Sequence, residues 1–442
     1  MKKTVILILF IVLSAIQLFA FSFENDNEYK IYTIEKTISG ETLPTAISPY
    51  PIEYTKNISL YFPLLRKNTG YELYDLFSYR TNNYGIIFEI TPENNLNFEY
   101  YYGKKINSFW FIAGKYKTDW SLLEHGVFFS DALPYVNGIT GGFTTDFLLG
   151  EMGIYFGAYS FNAYLTDEEL AIQKMNVDGN SDRRSIGIGY YDPYKSLLIH
   201  RLDIKPIKQL RISLNELNLI GGKFPDLVDL NFMNILHNTY GEGYSNALFG
   251  LDGEIVPFKG IKLYGEFAMD DYVVPLTEAG AESYKPTAFA WGYGSSINGK
   301  YKNTYFILKG EKYKIYSWMY NRWQELLKFT GRYIDGNKIY DIPMGYDYGN
   351  DIESYLISLE FINKFDNLKV LYEHIIKGEI DLNTSYFNTE LKGNTETWSG
   401  PYGETTEFNY TTLQLKLKNL EINTTFDKFE LIKYTVKISY EF

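Results

Sequence analysis

The sequence predicts an all-β protein: a transmembrane antiparallel up-and-down β-barrel of about 16–18 strands, preceded by a signal peptide. Three observations lead to this prediction: a strictly alternating C-terminal strand, a signal-like N-terminus and a high aromatic content. The strand number follows from the about 420 residues that remain of the 442 after the predicted signal peptide, at roughly 22–26 residues for each strand with its share of turn and loop. This count leaves no length for a second globular domain.

The C-terminal residues 432–442 alternate between apolar and polar side chains without interruption. A period of two is that of a β-strand with one apolar and one polar face. The strand closes on Phe442, and Tyr440 lies two residues earlier on the same face. It resembles the terminal strand by which outer-membrane barrels are recognised and inserted, so the barrel-assembly machinery is an expected partner. Tyr440 and Phe442 are therefore the predicted membrane-assembly signal.

The N-terminal residues 1–20 are predicted to be a secretory signal peptide. Lys2 and Lys3 precede an apolar run over residues 5–16, and Ala20 supplies a small residue for cleavage. The run is too short for a spanning helix. The chain contains no cysteine, which excludes a lipid anchor on an N-terminal cysteine, disulfides and thiolate metal sites.

In the rest of the chain, strand-like segments alternate with turn sequences, as in successive β-hairpins. Residues 84–90 form a strand-like segment, residues 91–95 a polar turn, and residues 96–102 the returning strand. Residues 166–174 begin with a capping pattern that predicts a short helix. We expect three regions, a signal peptide, a periplasmic extension and the barrel, over residues 1–20, 21–53 and 54–442.

The composition fits a barrel better than a soluble domain. The chain has 42 Tyr, 31 Phe and 6 Trp, yet its mean hydropathy is −0.23. In a barrel, lipid-facing residues alternate with polar lumen-facing ones, and aromatic residues gather where the wall meets the membrane interfaces. From composition alone, a tyrosine-rich secreted carbohydrate-binding sandwich or propeller stays an alternative. The net charge of −12 argues against nucleic acid or anionic lipid as a partner, because both bind basic surfaces.

Four stretches of sequence carry a family resemblance. In the first, Trp120 is followed by an apolar run, the pair Ser130-Asp131 and a proline. The other three, in chain order, are residues 200–216, 246–271 and 291–351. In this order the four stretches resemble the capsule-assembly Wzi-like family of bacterial outer-membrane barrels. The family commonly has Trp-Gly-Pro-Gly where this chain has Trp120-Ser121-Leu122-Leu123, so the bend at this point must be built differently here.

The resemblance implies a plugged, non-catalytic barrel in the bacterial outer membrane, surrounded by outer-membrane lipid. Such a barrel binds capsular polysaccharide or exopolysaccharide and holds it at the cell surface. Sugar recognition needs aromatic faces for stacking and polar side chains for the hydroxyls. On these grounds the candidate ligand-binding residues are Trp120, Glu124, Asp131, Glu266, Asp270 and Asp271.

Each group of candidates has a plainer interpretation that the sequence leaves open. Trp120, Glu124 and Asp131 belong to a stretch that either folds into the lumen as a constriction or stays an ordinary loop. Glu266 could face a ligand or a divalent cation, or it could pair with lysines or arginines of the lumen. Asp270 and Asp271 could instead cap the end of a strand at the rim.

Other functions receive little support from the sequence. A diffusion porin or sugar-specific channel is the alternative, because it shares the strand pattern. The histidines His125, His200, His237 and His374 have no metal-ligand spacing. No serine occupies a nucleophile elbow, and no glycine-rich phosphate loop precedes a helix. No catalytic residue, metal site, cofactor or enzymatic activity is therefore predicted.

Deleting Phe442, or changing it to Asp, is expected to remove most of the protein from the outer-membrane fraction, because the terminal strand loses its closing aromatic residue. The measurement is the amount of heat-modifiable barrel on gels of isolated membranes. The control is Asn394→Asp, which adds a charge to a polar stretch of the sequence. Equal assembly of the two variants would show that Phe442 is not an assembly signal.

Overall fold

A computed structural model describes most of the chain. The described residues are 26–43, 58–61, 64–67, 70–73, 75–80, 84–90, 96–106, 108–147, 150–178, 192–224, 244–272, 286–335, 338–386, 398–417, 420–428 and 430–438. The predicted signal peptide and the assembly residues Tyr440 and Phe442 lie outside the described residues.

Strands dominate this part of the chain, which also contains the α-helices α1 (Asp26–Ser39) and α2 (Asp167–Asp178) and a 3₁₀ helix (Glu325–Leu327). The strands are β1 (Ile58–Tyr61), β2 (Leu64–Lys67), β3 (Gly70–Leu73), β4 (Asp75–Arg80), β5 (Tyr84–Ile90), β6 (Leu96–Ile106), β7 (Phe109–Tyr116), β8 (Val136–Phe147), β9 (Gly150–Ser160), β10 (Asp192–Ile207), β11 (Leu210–Gly222), β12 (Ser245–Phe258), β13 (Ile261–Asp271), β14 (Ala288–Tyr301), β15 (Thr304–Ile315), β16 (Thr330–Asp335), β17 (Lys338–Pro343), β18 (Ile352–Ile362), β19 (Asn367–Lys377), β20 (Thr406–Leu417), β21 (Leu420–Asp427) and β22 (Glu430–Ile438).

Eighteen of these strands form one antiparallel up-and-down sheet. Strand β1 pairs with β4, and each strand from β4 to β15 pairs with the next. The sheet continues from β15 to β18 and on to β22, while β2–β3 and β16–β17 form separate hairpins. Both β1 and β2 lie alongside β22, so the first and last strands of the sheet meet as barrel closure requires. The predicted fold class and strand number are confirmed.

The local sequence signals for a hairpin and a helix are also confirmed. Strands β5 and β6 pair in antiparallel register across the predicted turn. At the start of α2, the Thr166 N–H donates to Glu169 Oε2 at 2.8 Å, and the Glu169 N–H donates to Thr166 Oγ1 at 3.2 Å. This reciprocal capping box satisfies donors that the first turn of a helix leaves without partners.

The sheet has its polar face inside and its apolar face outside. Along β18 the buried residues include Ser354, Leu356, Ser358 and Glu360, and the exposed ones are Tyr355, Ile357, Leu359 and Phe361. A sheet in water buries its apolar face, whereas this sheet exposes it. The outer face is therefore the lipid-facing wall of an outer-membrane barrel fold. No helix among the described residues is long and apolar enough to cross a membrane.

The two ends of the barrel differ in the length of their connections. At one end, the turns of the hairpins from β6–β7 through β20–β21 have two to four residues. The long connections begin and end at the other end of the described strands, and they join β7 to β8, β9 to β10, β11 to β12, β13 to β14, β15 to β18 and β19 to β20. In outer-membrane barrels, short turns face the periplasm and long loops face outward. The long-loop end is accordingly the outer end of this barrel.

Helix α1 lies across the short-turn end, beside β13, β14, β15 and β18. The Gly260 N–H, in the β12–β13 turn, donates to the Thr37 carbonyl at 2.8 Å. Lys30 forms an ion pair with the buried Glu360 at 2.7 Å. Ile34 is fully buried against Tyr305. The helix falls within the predicted periplasmic extension, although the boundary at residue 53 stays a prediction.

Candidate functional site: a filled lumen and a cleft above it

The connection between β7 and β8, residues 117–135, folds into the barrel and is called the first inserted segment. The carbonyl of Trp120 accepts a hydrogen bond from Arg201 Nη1 of β10 at 3.2 Å. Five residues later, His125 Nε2 lies 2.5 Å from Glu373 Oε1 of β19. Six strands separate β10 from β19 in the sheet. A stretch this short can contact both strands only from inside the barrel, so this segment is the constriction that the sequence left open.

Glu266 of β13 holds the first inserted segment against the wall. Its carboxylate accepts hydrogen bonds from the Ser121 hydroxyl at 2.6 Å, from the Leu122 N–H, and from the Val127 N–H at 3.1 Å. These described partners are a hydroxyl and backbone amides of the segment, rather than the lysine or arginine expected in the plainer interpretation. Because Glu266 is buried, these donors replace the water that its carboxylate has lost.

Asp270 and Asp271, at the end of β13, hold a second segment. Asp270 accepts hydrogen bonds from the Asn246 amide and from the Tyr320 N–H, both at 3.0 Å. Asp271 pairs with Arg322. The second inserted segment, residues 316–351, thus enters the lumen beside β13, while its middle part forms the β16–β17 hairpin. Among the described residues, no group of three or more His, Asp or Glu side chains has an arrangement that could hold a metal ion.

The two inserted segments bind each other in the lumen. The Ser130 N–H donates to the Met344 carbonyl at 2.9 Å, and the Tyr320 hydroxyl donates to the Val127 carbonyl at 2.6 Å. An apolar cluster surrounds these bonds and consists of Trp120, Val127, Phe129, Trp318, Met319, Phe329 and Met344, each at most 1% exposed. Together the two segments form a plug with the packing of a protein core.

Glu124 of the plug lies between two lysines of the barrel wall. Its carboxylate pairs with Lys309 of β15 at 2.9 Å and with Lys369 of β19. Burial opposes ionisation of Glu124, but the two ammonium groups outweigh it and hold the pKa of this carboxyl well below its usual range. Glu124 is therefore an ionised plug contact.

His125 lies at the centre of a ring of acidic and aromatic side chains. Its Nδ1 lies 3.0 Å from Asp347 Oδ2 of the second inserted segment, and its Nε2 contacts Glu373. The rings of Tyr313, Tyr346 and Tyr348 surround the imidazole at 5.6–6.0 Å. Burial disfavours the imidazolium, but the hydrogen bonds to the two carboxylates raise the pKa of His125 well above its usual range. The charged imidazole thus links the first inserted segment to the second and to β19.

The structure places the six predicted ligand residues in two different settings. Trp120, Glu124, Glu266, Asp270 and Asp271 lie in or against the plug, where their described contacts are intramolecular. Asp131 alone is well exposed, with 40% of its side chain accessible, and it pairs with Lys117 at 3.1 Å.

A cleft of about 330 Å³ opens at the outer end of the barrel, between the ends of β8 and β9 and the β16–β17 hairpin. It is lined by Tyr135, Asn137, Ser160, Phe161, Asn162, Arg332, Tyr333 and Ile334. None of these residues was selected from the sequence. Tyr135 lies 198 residues from Tyr333, so no local pattern could bring them together.

Two tyrosines form one corner of the cleft. Their rings, Tyr135 and Tyr333, stand at 90° with centroids 4.9 Å apart, and the Tyr333 hydroxyl donates to the Tyr135 carbonyl at 2.6 Å. The Lys115 ammonium lies 3.6 Å from the centre of the Tyr135 ring. This arrangement fixes two aromatic rings at the outer surface, where one end of each can contact a ligand.

Arg332 fixes the hairpin that carries Tyr333. Its guanidinium forms a forked pair with Asp341 at 2.8 and 2.6 Å, and a second forked pair with Glu169 of α2 at 2.7 and 2.6 Å. A fifth hydrogen bond reaches the Tyr164 carbonyl at 2.7 Å. Paired planar contacts of this kind hold a side chain in one orientation. The capping box of α2 and the cleft are therefore linked through Glu169.

Comparison with known proteins places the fold among outer-membrane barrels. No family model and no curated protein matches the chain. Its fold is similar to that of Wzi of Escherichia coli, an outer membrane protein involved in group 1 capsule assembly and described as a carbohydrate-binding β-barrel. That match has a TM-score of 0.56 and 15% identity, and it covers 88% of this chain and 85% of Wzi. Two structures of OprD from Pseudomonas aeruginosa match with TM-scores of 0.45 and 0.46, each at 10% identity, over 92% and 87% of this chain and 97% and 93% of theirs.

The charge on His125 predicts a pH-dependent plug. A raised pKa means that the ion pairs contribute fully below the ordinary value of 6.5 and that their contribution is lost as pH rises through the higher folded-state value. We expect the plug to hold at acidic and neutral pH and to loosen in the alkaline range. The measurement is open probability in planar bilayers from about pH 5 to about pH 9. At low pH the open probability of His125→Gln should be higher than that of the unmodified protein, and it should change less with pH. Identical pH profiles of the two proteins would contradict this role of His125.

Proposed function

We propose that this chain is a Wzi-like outer-membrane barrel that binds surface or capsular polysaccharide at its long-loop end and anchors it, without catalysis. In this proposal the barrel is inserted by the barrel-assembly machinery and surrounded by outer-membrane lipid. The single observation that carries the proposal is the plug, which occupies the lumen and leaves the outer end as the accessible surface.

The plug favours an anchoring role over transport. A diffusion pore needs a continuous water-filled path, and such a path is lined by polar side chains in contact with water. Here Trp120, Phe129 and Trp318 fill the lumen and are almost completely buried. The polar groups of the surrounding wall, such as Glu266, bind the inserted segments. The alternative of a porin or sugar-specific channel requires both segments to leave these contacts.

The cleft at the outer end has the chemistry that a sugar needs. Aromatic rings offer apolar faces to the C–H groups of a sugar, while amides and hydroxyls bind its hydroxyl groups. Tyr135, Tyr333 and Phe161 supply the rings, and Asn137 and Asn162 supply the amides. The similarity in fold to a carbohydrate-binding barrel supports the same proposal. In this proposal the cleft contacts the ligand, the other five candidate residues hold the plug, and Asp131 stays a candidate at the surface.

Releasing the first inserted segment is expected to turn a closed barrel into a conducting one. Glu266→Ala removes the acceptor of the Leu122 and Val127 amides, at a cost of about 1–3 kcal/mol for each buried unpaired group. The unmodified protein should insert into a planar bilayer without steady current, whereas Glu266→Ala should give steady steps. The control is Glu353→Ala, since Glu353 is 36% exposed and pairs with Lys312. Large steady steps from the unmodified protein would support the porin alternative instead.

Binding of the polysaccharide is expected to depend on the cleft. Tyr333→Ala removes one ring of the corner and should weaken retention of the host's surface polysaccharide on immobilised protein roughly tenfold, the scale of one lost aromatic contact. The matched control is Tyr301→Ala, since Tyr301 is 71% exposed at the short-turn end. Equal retention by the two variants would place the binding surface outside the cleft, and no retention by the unmodified protein would refute the proposed function.

A further inference from the structure

We infer that the cleft between Tyr135 and Tyr333 takes an uncharged sugar residue, so that the polysaccharide presents a neutral unit to this protein. The inference rests on the proposed function and adds the charge of the ligand, which neither the fold nor its relatives specify. It depends on the hydrogen bonds and charges around Arg332.

Among the described residues that line the cleft, Arg332 is the one that carries a charge. A guanidinium has five N–H donors. All five donate to acceptors within the protein. The Nε–H donates to Asp341, the two Nη1 hydrogens donate to Glu169 and the Tyr164 carbonyl, and the two Nη2 hydrogens donate to Glu169 and Asp341. No donor is left for the carboxylate or phosphate of a ligand. Two carboxylates around one guanidinium also leave this corner with a surplus of negative charge.

Among the described residues, Lys115, Lys195 and Lys328 lie near the cleft; the Lys328 ammonium pairs with Glu325 at 2.8 Å and donates to the Leu382 carbonyl at 2.8 Å. Lys115 lies over the Tyr135 ring, where the ring face attracts its ammonium group. Lys195 lines a narrower adjoining pocket that shares Asn162 and Arg332 with the cleft. Lys195 is only 4% exposed, and its ammonium donates to the Lys328 carbonyl at 2.9 Å.

The remaining surface of the cleft suits a neutral ring. Tyr135, Tyr333, Phe161 and Ile334 are apolar or aromatic, and the polar lining residues Asn137, Ser160 and Asn162 are uncharged. The volume of about 330 Å³ is near the lower end of the range of about 300–1,000 Å³ for ligand pockets. An acidic sugar in this space would bring its carboxylate near the carboxylates that Arg332 already binds, without a free guanidinium donor to pair with it, and burying an anion without a counter-charge is unfavourable.

The test separates the host's surface polysaccharide by anion exchange into an unretained neutral fraction and a retained acidic fraction. Binding of each fraction to the detergent-purified protein is measured at low and high salt by calorimetry. A portion of the acidic fraction is also measured after chemical reduction of its carboxyl groups to alcohols. Tyr333→Ala and Tyr301→Ala serve as the cleft variant and its control.

We expect the neutral fraction to bind, with an affinity that is the same at low and high salt and falls roughly tenfold in Tyr333→Ala. The carboxyl-reduced polymer should bind better than its acidic parent. Binding confined to the acidic fraction, lost at high salt and weakened by Lys195→Met, would overturn the inference and leave the proposed function standing. If neither fraction binds, the proposed function and this inference both fail.

Discussion

The structure depends on the carboxylates that the barrel wall turns inward. Once Glu266, Asp270 and Glu373 leave water, each needs donors or a cation, because a buried charge without a partner is strongly unfavourable. The inserted segments supply these partners from their backbone amides, hydroxyls and His125. The same contacts fix the two long connections in a defined place, which the connections could not reach without the wall.

This arrangement separates the barrel into parts with different roles. The outer face carries apolar residues such as Ile357 and Leu359 for contact with lipid. The lumen contains the plug, and the wall around it carries buried ion pairs such as Arg201 of β10 with Asp252 of β12, in which two hydrogen bonds join the guanidinium to the carboxylate. The cleft at the long-loop end brings aromatic rings and uncharged polar side chains together. The surface proposed for recognition therefore lies on a hairpin that the plug supports.

The sequence predicted the wall better than the site. Trp120 and Glu266 were both predicted as ligand-binding residues, and the stretches that carry them meet in the lumen. Their contacts, however, are with the protein itself. The cleft residues Tyr135 and Tyr333 lack any shared local pattern, since tyrosine is frequent throughout this chain and 198 residues separate the two. His125 was dismissed as a metal ligand, and its acidic partner Glu373 is 248 residues away.

The sequence by itself determined the alternation of apolar and polar residues in each strand and the succession of strands and turns. It therefore determined the fold class, because a period of two is a property of neighbouring residues in one strand. It also determined which face of each strand is apolar. Only the tertiary structure decided that the lumen is filled and that aromatic and uncharged polar side chains meet in a cleft beside the β16–β17 hairpin. Those contacts join residues that are distant in the chain, and they exist only once the sheet has curved far enough for its strands to surround the inserted segments.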